Sequence, residues 1–366
     1  MKETHKKHPP ASRLKANHYH KNEFGIYGTD CKSITEFVNQ VLGKLEHYNT
    51  IYVDADHHAE NQKVFKQNSE KQFHYQYSEN LYEQDKKLEV ETADFVFVNG
   101  NHYPASNQIV FINPKKEASL KKRIDQLDSI FAVIIDKRKE EIYPFLKDKL
   151  QKHTHIIRKK EIGNLVQIIE GSLTKAPLKA LVLAGGKSMR MGEDKSELKY
   201  HGVKQSHYIK NICEELGLET YLSKAYHYDR DETKVIKDRM VDMGPLGGII
   251  SAFMYDRNSA WLVIASDMPF VDKAAIQKIV KERQSSYYAT SYSKTLDEFP
   301  EPTFTIYEPK IYSRILDFMS LGYTCPRKVL INSDIQKIIP TNTDVLRNIN
   351  TPQEKKAALT DLNKNK

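Results

Sequence analysis

The sequence has few cysteines and no long apolar run. Its three cysteines, Cys31, Cys213 and Cys325, are widely separated and form no CxxC pair. This usage argues against a disulfide framework and favours a reducing, cytoplasmic setting. No apolar stretch approaches the roughly 18 residues that a membrane-spanning helix needs, so we expect no membrane segment.

Basic residues outnumber acidic ones, which gives a formal net charge of +8. This charge permits an anionic partner, but the sequence has no RNP, zinc-finger or basic-stripe pattern, so we expect no nucleic acid. Residues 1–21 are basic and rich in histidine, yet they lack the apolar core of a secretory signal. Because their histidines have no helical spacing and Pro9-Pro10 interrupts them, we expect a mobile leader rather than a metal site.

The length of 366 residues predicts two domains. Short apolar runs alternate with amphipathic stretches in both halves, which predicts two α/β domains, each a mostly parallel sheet flanked by helices. We place the boundary at TKAP and predict domains over 22–172 and 177–366. The predicted strands are 24–28, 50–55, 94–98, 108–112, 130–135, 178–184, 219–223, 261–266, 287–291 and 303–307. The main predicted helices are 34–48, 117–127, 203–217, 245–257 and 271–284.

The stretch LVLAGGKSMRMGEDKSELKYHG contains a Gly-Lys-Ser but is not a Walker P-loop. Leu181 stands where the first glycine of that motif belongs. A strand that ends in Ala-Gly-Gly lets the backbone approach a ligand, at the sheet edge where open parallel sheets bind ligands. Arg190 and Lys195 follow closely and can neutralise a triphosphate. The stretch therefore predicts a glycine-rich phosphate-binding loop that differs from a Walker P-loop, which we call the cradle.

A second strand, WLVIAS, is followed directly by the carboxylate of Asp267. A carboxylate at this edge, facing a phosphate cradle, is typical of a Mg²⁺ site that also uses phosphate oxygens. The glycine-rich cradle, the basic side chains of Arg190 and Lys195 and the carboxylate of Asp267 together indicate chemistry on a nucleoside triphosphate. Two alternatives remain: Asp267 could cap a helix near Val271, and Gly185-Gly186 could form only a tight turn.

LVLAGGKSMRMGEDKSEL resembles the signature LAGGxSxRMGxDKxxL of molybdenum cofactor guanylyltransferases. Four further segments resemble that family in the same order: MGPLGGI, ASDMPF, EPTFTIYEP and LRNINTPQE. The resemblance spans about 178 to 355. It implies a Rossmann-like nucleotidyltransferase fold and an enzyme that moves GMP from GTP–Mg²⁺ to the terminal phosphate of molybdopterin, with release of pyrophosphate.

The resemblance also implies a role for each matched residue. The residues that would bind the nucleotide are Leu183, Ala184, Gly185, Gly186, Lys195, Asp238 and Asp267. The catalytic residues would be Arg190, Lys195 and Asp267, and Asp267 would hold Mg²⁺. Asn348 and Asn350 would lie toward the pterin. An Asn that contacts the nucleotide in the family has no match here, since YLSKAYHY offers only Ser223.

The N-terminal half has the layout of a P-loop in FGIYGTDCKSITEF, but the spacing fails. Ile26 and Cys31 stand where its two glycines belong. The half is similar to the adaptor GTPase that accompanies the guanylyltransferase, with Asn99-Gly100 where that protein has Glu-Gly. We therefore expect a degenerate adaptor domain over 22–172.

YVDADHH, at the end of the second strand, offers several polar side chains. Asp54, Asp56, His57 and His58 could bind a metal or phosphate, or could form a solvated strand end. The partners expected for the whole chain are GTP, molybdopterin, cofactor-insertion proteins and apo-molybdoenzymes.

Three alternative functions stay open. Two are nucleotidyl transfer from CTP and transfer to a sugar phosphate. Gly186 favours the guanine family, since cytidylyl and sugar relatives more often read Leu-Ala-Ala-Gly. The third is a non-catalytic cofactor carrier, which would need neither Lys195 nor Asp267.

Overall fold

A computed structural model of the chain describes residues 22–55, 62–68, 71–76, 92–136, 141–185, 198–228 and 232–364. The chain divides into two compact units, Met1–Thr174 and Lys175–Lys366. Each unit contains a mostly parallel sheet flanked by helices, so the predicted α/β class is confirmed. None of the helices in these ranges is long and apolar enough to cross a membrane. The leader, residues 1–21, lies outside the described residues.

The N-terminal unit is built on an eight-stranded sheet. Its strands are β1 Glu23–Tyr27, β2 Thr50–Ala55, β3 Gln62–Asn68, β4 Lys71–Gln76, β5 Phe95–Asn99, β6 Asn107–Phe111, β7 Ile130–Ile135 and β8 His155–Arg158. The helices described in this unit are α1 Cys31–Leu42, α2 Glu117–Lys121, α3 Pro144–Lys147 and α4 Ile162–Gly171. The strand order is β4-β3-β2-β5-β1-β6-β7-β8. Every neighbouring pair is parallel except β2–β3 and β3–β4.

Strand β1 lies at the centre of this sheet, and all five of its residues are buried. Phe24 and Ile26 pack in a cluster with α1 and α4, while Tyr27 packs in a second cluster on the other side of the sheet. The chain places β2 and β5 on one side of β1, then crosses to place β6, β7 and β8 on the other. The carboxyl end of β1 is therefore a topological switch point, the usual position of a ligand in such sheets.

The C-terminal unit is built on a seven-stranded sheet. Its strands are β9 Leu178–Leu183, β10 Glu219–Lys224, β11 Val235–Lys237, β12 Ala260–Ala265, β13 Ala289–Tyr292, β14 Phe304–Tyr307 and β15 Ile335–Ile338. The helices described in this unit are α5 Gln205–Glu215, α6 Pro245–Tyr255, α7 Lys273–Lys281, α8 Ile311–Ser320, α9 Pro326–Ile331 and α10 Pro352–Lys364. The strand order is β11-β10-β9-β12-β14-β13-β15, with β14 antiparallel to both of its neighbours.

Alternate residues of β9 face two separate hydrophobic cores. Ala180 and Val182 pack in the cluster that contains α5 and α7, whereas Leu181 and Leu183 pack in the cluster that contains α6, α8 and α9. Helices on both faces explain why the strand is apolar throughout. Because β9 lies between β10 and β12, its carboxyl end is the switch point of this sheet.

The ten predicted strands are all present, with bounds that differ by at most two residues at either end. Sequence reasoning missed the antiparallel strands β3 and β4 and the short strands β8, β11 and β15. It also missed the short helix α3 and the helices α8, α9 and α10. The missed strands other than β3 and β4 are only three or four residues long, too short to show a periodicity of their own.

Candidate nucleotide site at the carboxyl edge of the C-terminal sheet

The end of β9 is held by hydrogen bonds from both neighbouring strands. The amide of Ala184 donates to Ser223 O at 3.1 Å. On the other side, the amide and the hydroxyl of Ser266 donate to Leu183 O at 3.1 and 2.8 Å. The start of the predicted cradle, at Leu183 and Ala184, is therefore held between β10 and the residue that follows β12. Gly186, Arg190 and Lys195 lie outside the described residues.

Gly185 lies at the surface, close to the segment that follows β10. A Cβ atom added to it would come within 3.2 Å of the amide nitrogen of Ala225. A side chain at this position would force its neighbours to shift, so glycine keeps the backbone of the cradle against β10. Its exposed backbone is available to a ligand.

Asp267 is partly exposed and lies on the loop that follows β12. Two side chains from the start of α5 and the preceding turn hold this loop: Gln205 Nε2 donates to Met268 O at 2.9 Å, and His201 Nε2 lies 2.9 Å from Pro269 O. The alternative that Asp267 caps the next helix is wrong. Asp272 caps α7 by accepting from the Ala275 amide at 2.7 Å, which leaves Asp267 at the sheet edge.

The NINT segment lies against the Asp267 loop. The amide of Ile349 donates to Asp267 O at 2.9 Å. Asn350 is exposed, and its amide donates to the carboxylate of Glu354 in the first turn of α10, which lowers the pKa of Glu354. Asn348 Oδ1 is buried and has no hydrogen-bond partner among the described residues. The fold therefore places both predicted pterin-side residues next to the predicted metal-binding loop.

Asp238 follows β11, beside the end of β10. Its amide donates to Lys224 O at 2.8 Å, and its carboxylate accepts from Ser223 Oγ at 2.7 Å. Burial raises the pKa of Asp238 above its ordinary value, against the opposing effect of the Ser223 hydrogen bond. Ser223, from the segment in which the family's Asn has no match, is thus a direct partner of a predicted nucleotide contact.

Helix α6 brings the MGPLGGI motif beneath this edge. A Cβ atom on Gly248 would lie 2.6 Å from Ser223 Oγ and 2.8 Å from Leu183 Cδ2. A side chain at this position would force the side chains of Ser223 and Leu183 to shift. The glycine is therefore part of the packing that positions both the cradle and the Ser223–Asp238 pair.

Few described side chains at this edge of the sheet could bind a metal ion. Among the ranges that the structure describes, no three His, Cys, Asp or Glu side chains are grouped so as to hold a metal ion. Mg²⁺ is typically bound by one or two carboxylates together with substrate phosphates and water. A single carboxylate at Asp267, beside a triphosphate cradle, fits this mode of binding.

Sequence reasoning missed three residues that shape the site. Gln205 and His201 hold the Asp267 loop, and Ser266 binds the end of β9. Gln205 and Ser266 are buried, and no local pattern distinguishes them from residues of an ordinary helix or strand end. Their partners are distant in sequence, so only the tertiary fold identifies them.

At the equivalent edge of the N-terminal sheet, Asp54 is buried and accepts hydrogen bonds from Tyr52 Oη at 2.7 Å and Asn99 Nδ2 at 2.8 Å. The alternative of a solvated strand end is wrong for this residue. Asp56, His57 and His58 lie outside the described residues.

Residues 180–335 match the family model of the MobA-like NTP transferase domain. The chain is 30% identical over 189 residues to the molybdenum cofactor biosynthesis bifunctional protein of Synechocystis sp., an alignment that covers 50% of this chain and 54% of that protein. It is 24% identical over 185 residues to the molybdenum cofactor guanylyltransferase of Pseudomonas putida, covering 48% of this chain and 95% of that protein.

Among solved structures, the chain is similar to the molybdopterin-guanine dinucleotide biosynthesis protein A of Archaeoglobus fulgidus. The identity is 22% and the TM-score 0.42, over 51% of this chain and 99% of that one. The chain spans about half the length of the bifunctional relative. The predicted resemblance of the C-terminal half to the guanylyltransferases is confirmed, and that of the N-terminal half to the adaptor GTPase stays a prediction.

Proposed function

We propose that the C-terminal unit transfers GMP from GTP to the terminal phosphate of molybdopterin and releases pyrophosphate. One observation supports the proposal: a hydrogen bond joins Ile349, in the segment predicted to face the pterin, to Asp267, the predicted metal ligand, at the edge where β9 ends. Nucleotidyl transfer requires the pterin and the metal-bound nucleotide to lie side by side, because the attacking phosphate must approach the α-phosphorus in line with the leaving pyrophosphate.

The exposed backbone at Gly185, together with Leu183 and Ala184, would bind the nucleotide. Asp238, held by Ser223 Oγ, would accept hydrogen bonds from the base or ribose. Lys195 and Arg190 would neutralise the phosphates. These groups would position GTP with its α-phosphorus toward the NINT segment.

Asp267 would hold Mg²⁺, which supplies charge neutralisation at the phosphates when it is bound. The terminal phosphate of the pterin attacks the α-phosphorus, a P–O bond forms, and the bond to the leaving pyrophosphate breaks. A phosphate monoester is mostly ionised at neutral pH, so the step needs no dedicated base. Positioning and charge neutralisation therefore account for catalysis.

The test is pyrophosphate release from each of the four NTPs with Mg²⁺ and purified molybdopterin. We expect GTP to be selected, and release to require the pterin. Selection of CTP would assign the protein to cytidylyl transfer. A folded protein that binds molybdopterin but releases no pyrophosphate with any NTP would be a carrier, and the proposal would be wrong.

A further inference from the structure

The switch point of the N-terminal sheet holds a group of polar side chains that the proposed function does not use. There β1 ends and the chain turns through Gly28, whose φ of +83° favours glycine. Helix α1 begins three residues later, and the Asp30 carboxylate caps it by accepting from the Ser33 amide and hydroxyl, both at 2.9 Å. These bonds lower the pKa of Asp30.

This cap changes what the helix end can bind. The positive end of a helix dipole favours an anion, and in a P-loop that anion is a phosphate. Here the carboxylate of Asp30, at the N-cap, already binds the Ser33 amide of the first turn, so a triphosphate would meet a like charge. The site at this switch point therefore suits a different chemistry.

Cys31 is the first residue of α1 and is partly exposed. Two nitrogen groups from the turn after β5 approach its sulfur: His102 Nε2 lies 3.4 Å away, and Asn101 Nδ2 donates at 3.6 Å. Asn101 Nδ2 also donates to Thr29 O at 3.0 Å, which fixes the amide in place. The pair of Cys31 and His102 has the contact expected of a nucleophile and its base.

A carboxylate lies close to the same ring nitrogen. His102 Nε2 lies 3.7 Å from Asp54 Oδ1. Asp54 accepts from Tyr52 and Asn99, and burial raises the pKa of Tyr52 well above its usual range, so the phenol stays protonated and continues to donate. A carboxylate at this distance favours the proton that His102 Nε2 takes from the thiol.

We infer that Cys31 is a reactive thiol that exchanges with small disulfides. The Cys31 proton moves to His102 Nε2, and Cys31 Sγ attacks one sulfur of the disulfide. A new S–S bond forms and the original S–S bond breaks. Cys31 is thereby oxidised to a mixed disulfide, while the departing sulfur is reduced to a thiolate and takes the proton from His102.

The chain provides two internal controls. Cys213 is fully buried, and burial raises the pKa of its thiol to about 12, so it should be inert. Cys325 is exposed, and in the described part of the chain no imidazole lies within hydrogen-bond distance of its sulfur. Cys31 is less exposed than Cys325. A faster reaction of Cys31 would therefore reflect its contact with His102 and not greater exposure of its sulfur.

The experiment is site-resolved reaction of the full chain with dithiodipyridine at pH 7, quantified by peptide mass spectrometry. We expect Cys31 to react at least about tenfold faster than Cys325, because a free thiol is only a few per cent ionised at this pH. His102→Gln should remove most of that advantage. His153→Gln, which changes an exposed histidine of the same unit, should leave it intact.

Equal or slower reaction of Cys31 relative to Cys325 in the unaltered protein would overturn the inference, and this comparison needs no variant. So would an unchanged Cys31 rate in His102→Gln with native circular dichroism. Loss of the modification in Cys31→Ser would confirm the assignment to this sulfur.

Discussion

The amide of Ile349 donates to the carbonyl oxygen of Asp267 at 2.9 Å, and this bond joins the last loop before α10 to the loop after β12. Ile349 is fully buried, in a small cluster with Leu198 and Tyr200. Both of these residues follow the cradle segment in sequence. Three motifs therefore meet at one edge of the sheet: the end of the cradle motif at Leu198, ASDMPF and LRNINTPQE.

Asn348 should be a substrate contact whose removal leaves folding almost unchanged. Its Oδ1 is buried without a described partner, so Asn348→Ala removes an unsatisfied group, and we expect the free energy of unfolding to change by less than about 1 kcal/mol. The KM for molybdopterin should rise about three- to tenfold, the value of a lost hydrogen bond.

Asn342→Ala is the matched control for that variant. Asn342 is exposed and caps the turn over 343–346 by accepting from the Asp344 amide. It should cost stability and leave the KM unchanged. The opposite pattern, a destabilised Asn348→Ala protein with a normal KM, would make Asn348 a structural residue.

Asp267→Asn should lower turnover by about a hundredfold or more, since it removes the anionic ligand that the proposed mechanism requires. Asp272→Asn changes the neighbouring carboxylate at the start of α7, and Asn caps helices as well as Asp does, so its turnover should be normal. Pyrophosphate release at saturating GTP measures both. Near-normal turnover of Asp267→Asn would remove Asp267 from the mechanism.

Gly248→Ala should destabilise the C-terminal unit by about 1–3 kcal/mol, because the added methyl group would overlap Ser223 and Leu183. The fluorescence of Trp261, the one tryptophan of the chain, follows unfolding of this unit. GTP affinity should fall together with stability. Gly163→Ala, in α4 of the N-terminal unit with nothing within 4 Å of the new carbon, should leave this Trp261 transition unchanged.

The stability of the C-terminal unit should depend on the ionisation of Asp238. Burial raises its pKa in the folded state, so the protonated form contributes stability that is complete below the unfolded value, near 4. This contribution is lost as the pH rises through the higher folded value. Asp238→Asn should therefore gain stability relative to the natural protein as the pH increases, measured by urea unfolding between pH 4 and pH 7.

Ser223→Ala provides a second test of the raised pKa of Asp238. Its hydroxyl hydrogen bond opposes the effect of burial on Asp238, so removing it should raise the pKa further and steepen the loss of stability with pH. A pH profile identical in all three proteins would show that Asp238 has the same pKa in the folded and unfolded states.

Several features followed from the sequence because they depend on local patterns. The apolar runs of the central strands, such as β7 and β12, stand out since both faces of each strand are covered by helices. The motifs at the ends of β9 and β12 could be placed at one sheet edge, since parallel strands that share a sheet end on the same side. These arguments predicted the fold class, which is confirmed, and the sheet edge at which the candidate nucleotide site lies.

The tertiary structure decided the features that depend on partners distant in sequence. It shows that Asp272 rather than Asp267 caps α7, since capping depends on where the helix begins. It brings Cys31 to His102 and Asp54 through the order of β1, β2 and β5, which the sequence does not reveal. Periodicity reports the burial of a residue, whereas the contacts between loops depend on strand order and register.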